Sequence, residues 1–340
     1  MLTSLGKDHI RHTESSSFPH LKGYFCRPNK REQVKVYHSI DEFQKVKGAV
    51  VTTGTFDGVH VGHRKIIARL NEIAEKIGGE SVLLTFHPHP RMVIFPDDHG
   101  LELITTMDEK IALLEEAGVQ NLIIHPFTKE FSRIKSLDFI RDILVDKLGT
   151  NVLVIGYDHH FGRNREGSFE HLRESGPLYG FSVEEISVQD VDDVAVSSTK
   201  IRKALREGDV SSANKYLAGL YRLTGTVIHG DKLGRTIGFP TANLMISDRI
   251  KVIPANGVYA CYVIVDERKF NGMLNIGTRP TVSGSSRRIE VNIFDFEKEL
   301  YGQKLELQLV DRIRDEKKFE SVEDLKHRLT IDKNLAERIL

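Results

Sequence analysis

The chain has 340 residues, 40% of them apolar and 28% charged, with 48 Lys and Arg against 48 Asp and Glu. Such a length exceeds the usual single domain and suits two, each with its own core. The charge balance speaks against the basic face that grips nucleic acid or an anionic membrane, and no apolar run reaches the roughly 18 residues that would span a bilayer. Residues 1–33 show no period and read as a loosely ordered extension, without the apolar stretch of a secretory signal. The two cysteines, Cys26 and Cys261, match no C-x-x-C spacing, so they read as inert thiols in a reducing cytoplasm.

From about residue 48, short apolar runs alternate with amphipathic stretches. The runs "AVVTTG" (49–54), "SVLLTF" (81–86), "NLIIH" (121–125), "NVLVIG" (151–156) and "FSVEEIS" (181–187) read as strands. Between them, Ile66, Leu70, Ile73 and Ile77 share a helix face, and "MDEKIALLEEAG" (107–118) and "SLDFIRDILVDKLG" (136–149) repeat the pattern. Strand–helix alternation implies a parallel sheet covered on both faces, with ligands outside the carboxyl ends of its strands. Two more helical stretches follow, "STKIRKALREG" (198–208) and "VSSANKYLAGL" (210–220). At Tyr221 the texture changes. "YRLTGTVIHG", "GVYACYVIV", "RRIEVNIFDF" and "KLELQLVDRI" are β-rich runs divided by turn residues, the pattern of an antiparallel barrel or sandwich, and "SVEDLKHRL" and "LAERIL" close the chain as helices. The expected domains are therefore 34–220 and 221–340, with no internal repeat.

Several loops carry chemistry. "GTFDGVHVGH" (54–63) joins the first of these strands to the first helix, where glycines let the backbone approach an anion and free N–H groups favour it. His60 and His63 add two donors for charge that develops on phosphate. The dinucleotide and P-loop fingerprints are absent. A zinc site remains a weaker rival: His60, His63, His87, His89, His159 and His160 all fall near strand ends, but no Cys joins them. A plain glycine-rich turn is the third reading. "TFHPHP" (85–90) leaves His87 and His89 at the ligand edge or in solvent. In "GYDHHFG" (156–162), Asp158 suits a ribose hydroxyl, a metal or a turn, and "SSTKIR" (197–202) sets Ser197 and Ser198 at a helix N-cap with Thr199 and Arg202 following. In "HGDKLGRTIGFPTANL" (229–244), Gly230, Gly234, Gly238, Lys232 and Arg235 suit a polyphosphate. Thr241 and Asn243 offer hard oxygens to Mg²⁺, although "PTAN" taken alone reads more readily as an ordinary turn. Strand period two puts Glu290 and Asn292 opposite Ile289, Val291 and Ile293.

H-x-G-H after a strand resembles the motif of the adenylyl- and cytidylyltransferases. The longer G-T-F-D-G-V-H-x-G-H, followed in order by "TFHPHP", "GYDHHFG", "SSTKIR", the glycine loop with "PTAN" and "NIGTRPTV" (275–282), is similar to the bacterial bifunctional riboflavin kinase and FAD synthetase family over about residues 34–335. The resemblance implies an α/β plus β fold class: a Rossmann-like nucleotidyltransferase domain with a parallel sheet, then an antiparallel Greek-key β-barrel with a terminal helix. It implies FMN synthesis from riboflavin in the barrel and FAD synthesis from FMN in the first domain, with ATP and Mg²⁺ and small-molecule partners only. By the same resemblance, His60, His63 and Arg202 serve adenylyl transfer, with Gly54, Phe56, Asp57, Gly58, Gly62, Asp158, Ser198 and Thr199 holding its nucleotide. Glu290 is the kinase base, Thr241 and Asn243 the metal ligands, and Gly230, Lys232, Gly234, Gly238 and Pro240 hold the second ATP. His87, Pro88, His89, Asn256 and Gly257 are the expected flavin contacts. Two positions depart from the family: His159 stands where Phe is common, and Asn292 where His is often found.

Overall fold

The computed structural model describes residues 33–97, 100–156, 160–186, 196–230, 233–281 and 284–340. The expectations for residues 1–32, Asp158, His159 and Lys232 lie outside them. Six parallel strands form the first layer: β1 (Lys35–Tyr37), β2 (Ala49–Thr53), β3 (Ser81–His87), β4 (Asn121–Pro126), β5 (Thr150–Gly156) and β6 (Ser182–Ile186), in the order β1-β4-β3-β2-β5-β6. From β2 the chain winds outward through β3 and β4, then returns to the other side of β2 with β5 and β6. The carboxyl end of β2 therefore lies at the topological switch point, where such sheets bind ligands.

Both sheet faces are covered, which explains the unbroken apolar strands. On one face Val50 and Val154 pack with Leu70, Ile73 and Ala74 of the helix Val61–Ile77, while Leu83 and Leu122 pack with Ile67. On the other, Val51, Leu84, Ile123 and Ile155 pack with Phe139, Ile140, Ile143 and Leu144. Of the expected stripe, Leu70 and Ile73 are buried and Ile66 packs beside them; Ile67 joins the buried face, while Ile77, in the last turn before the Gly78 cap, is 43% exposed. The segment expected as one α-helix over 136–149 starts as one (Ser136–Asp138) and continues as a π-helix (Phe139–Val145).

Six antiparallel strands close the barrel: β7 (Tyr221–Ile228), β8 (Ala242–Met245), β9 (Gly257–Val265), β10 (Arg268–Thr281), β11 (Gly284–Ile293) and β12 (Lys304–Arg314), in the order β10-β11-β8-β7-β12-β9. β12 returns to lie beside β9, so β9 to β12 stand in the spatial order β12-β9-β10-β11, a Greek key. The barrel core holds Leu223, Tyr259, Cys261, Val291 and Leu307, and burial pushes the Cys261 thiol up, as suits an inert cysteine. The two closing helical runs are one helix, Val322–Ile339. "PTAN" is not a turn: Ala242 and Asn243 belong to β8.

Candidate functional sites

The turn that leaves β2 is tightly determined. Phe56, Gly58 and Val59 all have positive φ (47°, 84° and 42°), so two non-glycine residues sit in the sparsely populated left-handed region. A Cβ on Gly58 would meet Ile104 Cγ2 at 2.9 Å, so glycine is required there by conformation and by space. Asp57, 2% exposed, accepts from Ile104 N at 3.0 Å, Thr105 N at 3.2 Å and Thr105 Oγ1 at 3.3 Å, and pairs with Arg202 Nη2 at 2.7 Å. Gly58 N donates to Thr105 Oγ1, and Ser198 Oγ donates to the Asp57 carbonyl, each at 3.2 Å. Arg202 also donates through Nε to the Glu102 carbonyl at 2.6 Å. The expected nucleotide residues Asp57, Gly58 and Ser198 and the expected catalytic Arg202 thus meet at one place. Thr199 lies exposed in the first turn of Ser198–Glu207, and Ser197 caps that helix by accepting from Lys200 N. Gly54 donates to the Leu84 carbonyl at 3.0 Å, and Gly62 is buried in the helix start.

His60 is the N-cap of Val61–Ile77, its Nδ1 accepting from His63 N at 3.4 Å, and the two imidazoles stack with centroids 3.7 Å apart. His63 also meets the Phe56 ring at 4.9 Å, and its Nδ1 has no hydrogen-bond partner among the described residues. Burial, then the neighbouring His60, holds the His63 imidazole well below its ordinary value. Sequence reasoning missed Lys110, which is buried and donates to the Thr55 carbonyl at 2.8 Å, with its ammonium pushed down by burial. Nothing in "MDEKIALLEEAG" distinguishes it from a solvated helix lysine.

His87, Pro88 and His89 line a cavity of about 300 Å³ together with Met92, Thr105 and Lys110 from the sheet layer and Asp248, Arg249 and Ile250 from the barrel. His89 caps the helix Pro90–Ile94 through Nδ1, and burial lowers its imidazole to about 4. No three His, Cys, Asp or Glu side chains among the described residues cluster as metal ligands.

The barrel has a second cavity, of about 230 Å³. Strand register builds it: Glu290 stands opposite Asn275 on one side and Asn243 on the other, while Ile289, Val291 and Ile293 turn into the core. Thr241, Asn243, Glu290 and Asn292 all line it. Glu290 Oε1 lies 3.1 Å from Arg288 Nη1, and Asn292 Nδ2 donates to the Pro240 carbonyl at 2.6 Å. The amide at position 292 thus ties β11 to the loop before β8. A Cβ on Gly230 would overlap the Asn243 amide and one on Gly234 the Phe239 carbonyl, while Gly238 has φ of 84°. Asn256 and Gly257 do not line this cavity. Asn256 Nδ2 instead donates to Glu316 Oε2 at 2.9 Å, and Glu316 is a lining residue. Arg314, Glu316 and Phe319 line it too and were not legible beforehand, since they fall after the last β-rich run.

Comparison with known proteins matches the same two stretches. Residues 42–200 match the family described as FAD synthetase, and residues 217–340 match riboflavin kinase. The bifunctional riboflavin kinase/FMN adenylyltransferase of Escherichia coli K12 is 38% identical over 291 residues, covering 85% of this chain and 92% of that protein. The Bacillus subtilis 168 protein of the same description is 38% identical over 309 residues, covering 89% and 95%. A solved structure, named a macrolide-efflux protein from Streptococcus pneumoniae, superposes with a TM-score of 0.81 at 30% identity over 90% of this chain and 99% of that one. In this chain no described helix is long and apolar enough to cross a membrane.

Proposed function

The chain belongs to the bifunctional riboflavin kinase/FMN adenylyltransferase family, and on that premise we propose which residues carry its two reactions. Riboflavin is phosphorylated to FMN, and FMN is adenylylated to FAD with loss of pyrophosphate. The kinase is assigned to residues 221–340, the adenylyltransferase to 34–220, and residues 1–33 to an extension.

In the barrel, Glu290 takes the proton of the riboflavin 5′-hydroxyl as it attacks the γ-phosphorus of ATP, the bond to the β-phosphate oxygen breaks and ADP leaves. The observation that carries this is one cavity holding Glu290 beside Asn243 and Thr241. Those two residues offer hard oxygens that would hold Mg²⁺, which would neutralise charge on the phosphate oxygens, leaving the Glu290 carboxylate to accept the proton. Gly230, Gly234, Gly238 and Pro240 are assigned to the loop that holds the ATP phosphates, with Lys232 joining them by resemblance. Asn256 reaches the flavin side of the cavity through Glu316, and Gly257 is assigned to the flavin by resemblance alone.

In the first domain, the FMN phosphate attacks the α-phosphorus of a second ATP. His60 and His63 donate to the phosphate oxygens at the helix start, and Arg202 carries positive charge toward the leaving pyrophosphate. The turn from Gly54 to Gly62, with Ser198 and Thr199, holds the nucleotide, as does Asp158 by resemblance. Alignment and electrostatics suffice for in-line transfer, with no covalent enzyme intermediate. The cavity beside His87, Pro88 and His89 is offered to the flavin. Equal numbers of basic and acidic residues suit a cytoplasmic enzyme that works on small molecules, without nucleic acid or membrane.

Glu290→Gln tests the kinase assignment. FMN formation should fall about 10² to 10⁴-fold, the usual contribution of a general base, while FAD formation from supplied FMN persists. FMN made at the wild-type rate by that variant contradicts it.

A further inference from the structure

A buried ion pair joins the barrel to the adenylyl-transfer turn. Lys251 precedes β9 in the chain, and its Nζ lies 2.5 Å from Glu109 Oε2 and 2.6 Å from the Ile104 carbonyl; the two side chains are 0% and 1% exposed. The other Glu109 oxygen accepts from Thr224 N of β7 at 3.0 Å. Leu103 pairs with the same barrel segment, donating to the Ile250 carbonyl at 2.6 Å and accepting from Val252 N at 2.9 Å.

The Glu102–Thr105 segment is held just as closely from the opposite side. The Ile104 and Thr105 amides donate to the Asp57 carboxylate, Thr105 Oγ1 receives the Gly58 amide, and the Glu102 carbonyl takes Arg202 Nε. The Ile104 peptide therefore binds Lys251 through its carbonyl side and Asp57 through its own N–H. Any shift of this segment moves the turn and Arg202 together.

We propose that Lys251, anchored on Glu109, is a positioning residue for FMN adenylylation: it fixes Ile104 and Thr105, which fix Asp57 and hence the geometry of the 54–63 turn and Arg202. Lys251 is wholly buried and lines neither of the two cavities described above. The proposal rests on the assignment of adenylyl transfer to that turn.

Removing the lysine alone would strand a buried carboxylate, so the informative variant is Lys251→Met with Glu109→Gln, whose neutral amide oxygen keeps an acceptor for Thr224 N. In the full chain, FMN formation from riboflavin should stay at the wild-type rate. The kcat for FAD formation from FMN should fall about 10 to 100-fold, the scale of a small misalignment, with KM for ATP little changed. Lys251→Arg, which keeps charge and donors, should retain most of the FAD activity. A double variant that makes FAD at the wild-type kcat overturns the proposal, and so does one that loses both activities together, because the pair would then hold the fold rather than the site. Wild-type chain that makes FMN but no FAD would overturn the functional reading on which the proposal rests.

Discussion

At the scale of single residues, the site is a set of groups whose charge the fold has altered. His63 and His89 are both kept below their ordinary value of 6.5, chiefly by burial, His89 to about 4. Between pH 6.5 and 4 the unfolded chain therefore binds protons that the folded chain refuses, so stability rises with pH through that window and levels off above it. We expect the melting temperature to drop as the pH is lowered from 6.5 to 4, and His89→Gln to shrink that drop. An unchanged pH profile in the variant would contradict the burial argument. His60, His63 and Glu290 were singled out by the resemblance, with strand period placing Glu290 on the face opposite Ile289, Val291 and Ile293. The engagement of Asp57 was not legible, because its partners Ile104, Thr105 and Arg202 are 47 to 145 residues away in sequence. Lys110 was hidden for the same reason.

At the scale of elements, long periodic runs were readable and short or broken ones were not. β2 to β6 fall where their apolar runs lie, whereas β1 has only three residues and β8 only four, too few to show a period. β10 is long, but Gly272, Gly277 and Pro280 interrupt its alternation. The closing helix was read as two because "TIDKN" lies between its periodic ends. The structure carries the helix through with Asp332, wholly buried, which takes Arg314 Nη2 at 2.8 Å and Arg328 Nε at 2.9 Å. Leu325 and Leu329 of this helix line the barrel cavity beside Arg314 of β12, so the helix is one wall of that cavity. Asp332→Ala should lower unfolding stability by about 3 kcal/mol, since it leaves Arg314 without its buried partner. FMN formation should suffer more than FAD formation. A urea midpoint equal to wild type would show that the pair is not holding the helix.

At the scale of the whole molecule, two chemistries share one chain because two kinds of loop are presented by two kinds of sheet. The parallel layer offers a helix start at its switch point, and the barrel offers a strand pair with a carboxylate between amides. The change in texture at Tyr221 made this division legible. The contacts between layer and barrel were not, since Lys251, Glu109 and Arg222 carry no sequence mark of being buried or paired. Our assignment gives the two successive steps to the carboxylate in the barrel and the histidines at the switch point. It is tested most directly by giving riboflavin, ATP and Mg²⁺ to the wild-type chain, Glu290→Gln and His63→Ala, and separating FMN from FAD by chromatography. Wild type should yield both products, Glu290→Gln should yield neither from riboflavin yet make FAD from supplied FMN, and His63→Ala should stop at FMN. Loss of the same step in both variants, or FAD made by His63→Ala at the wild-type rate, would contradict it.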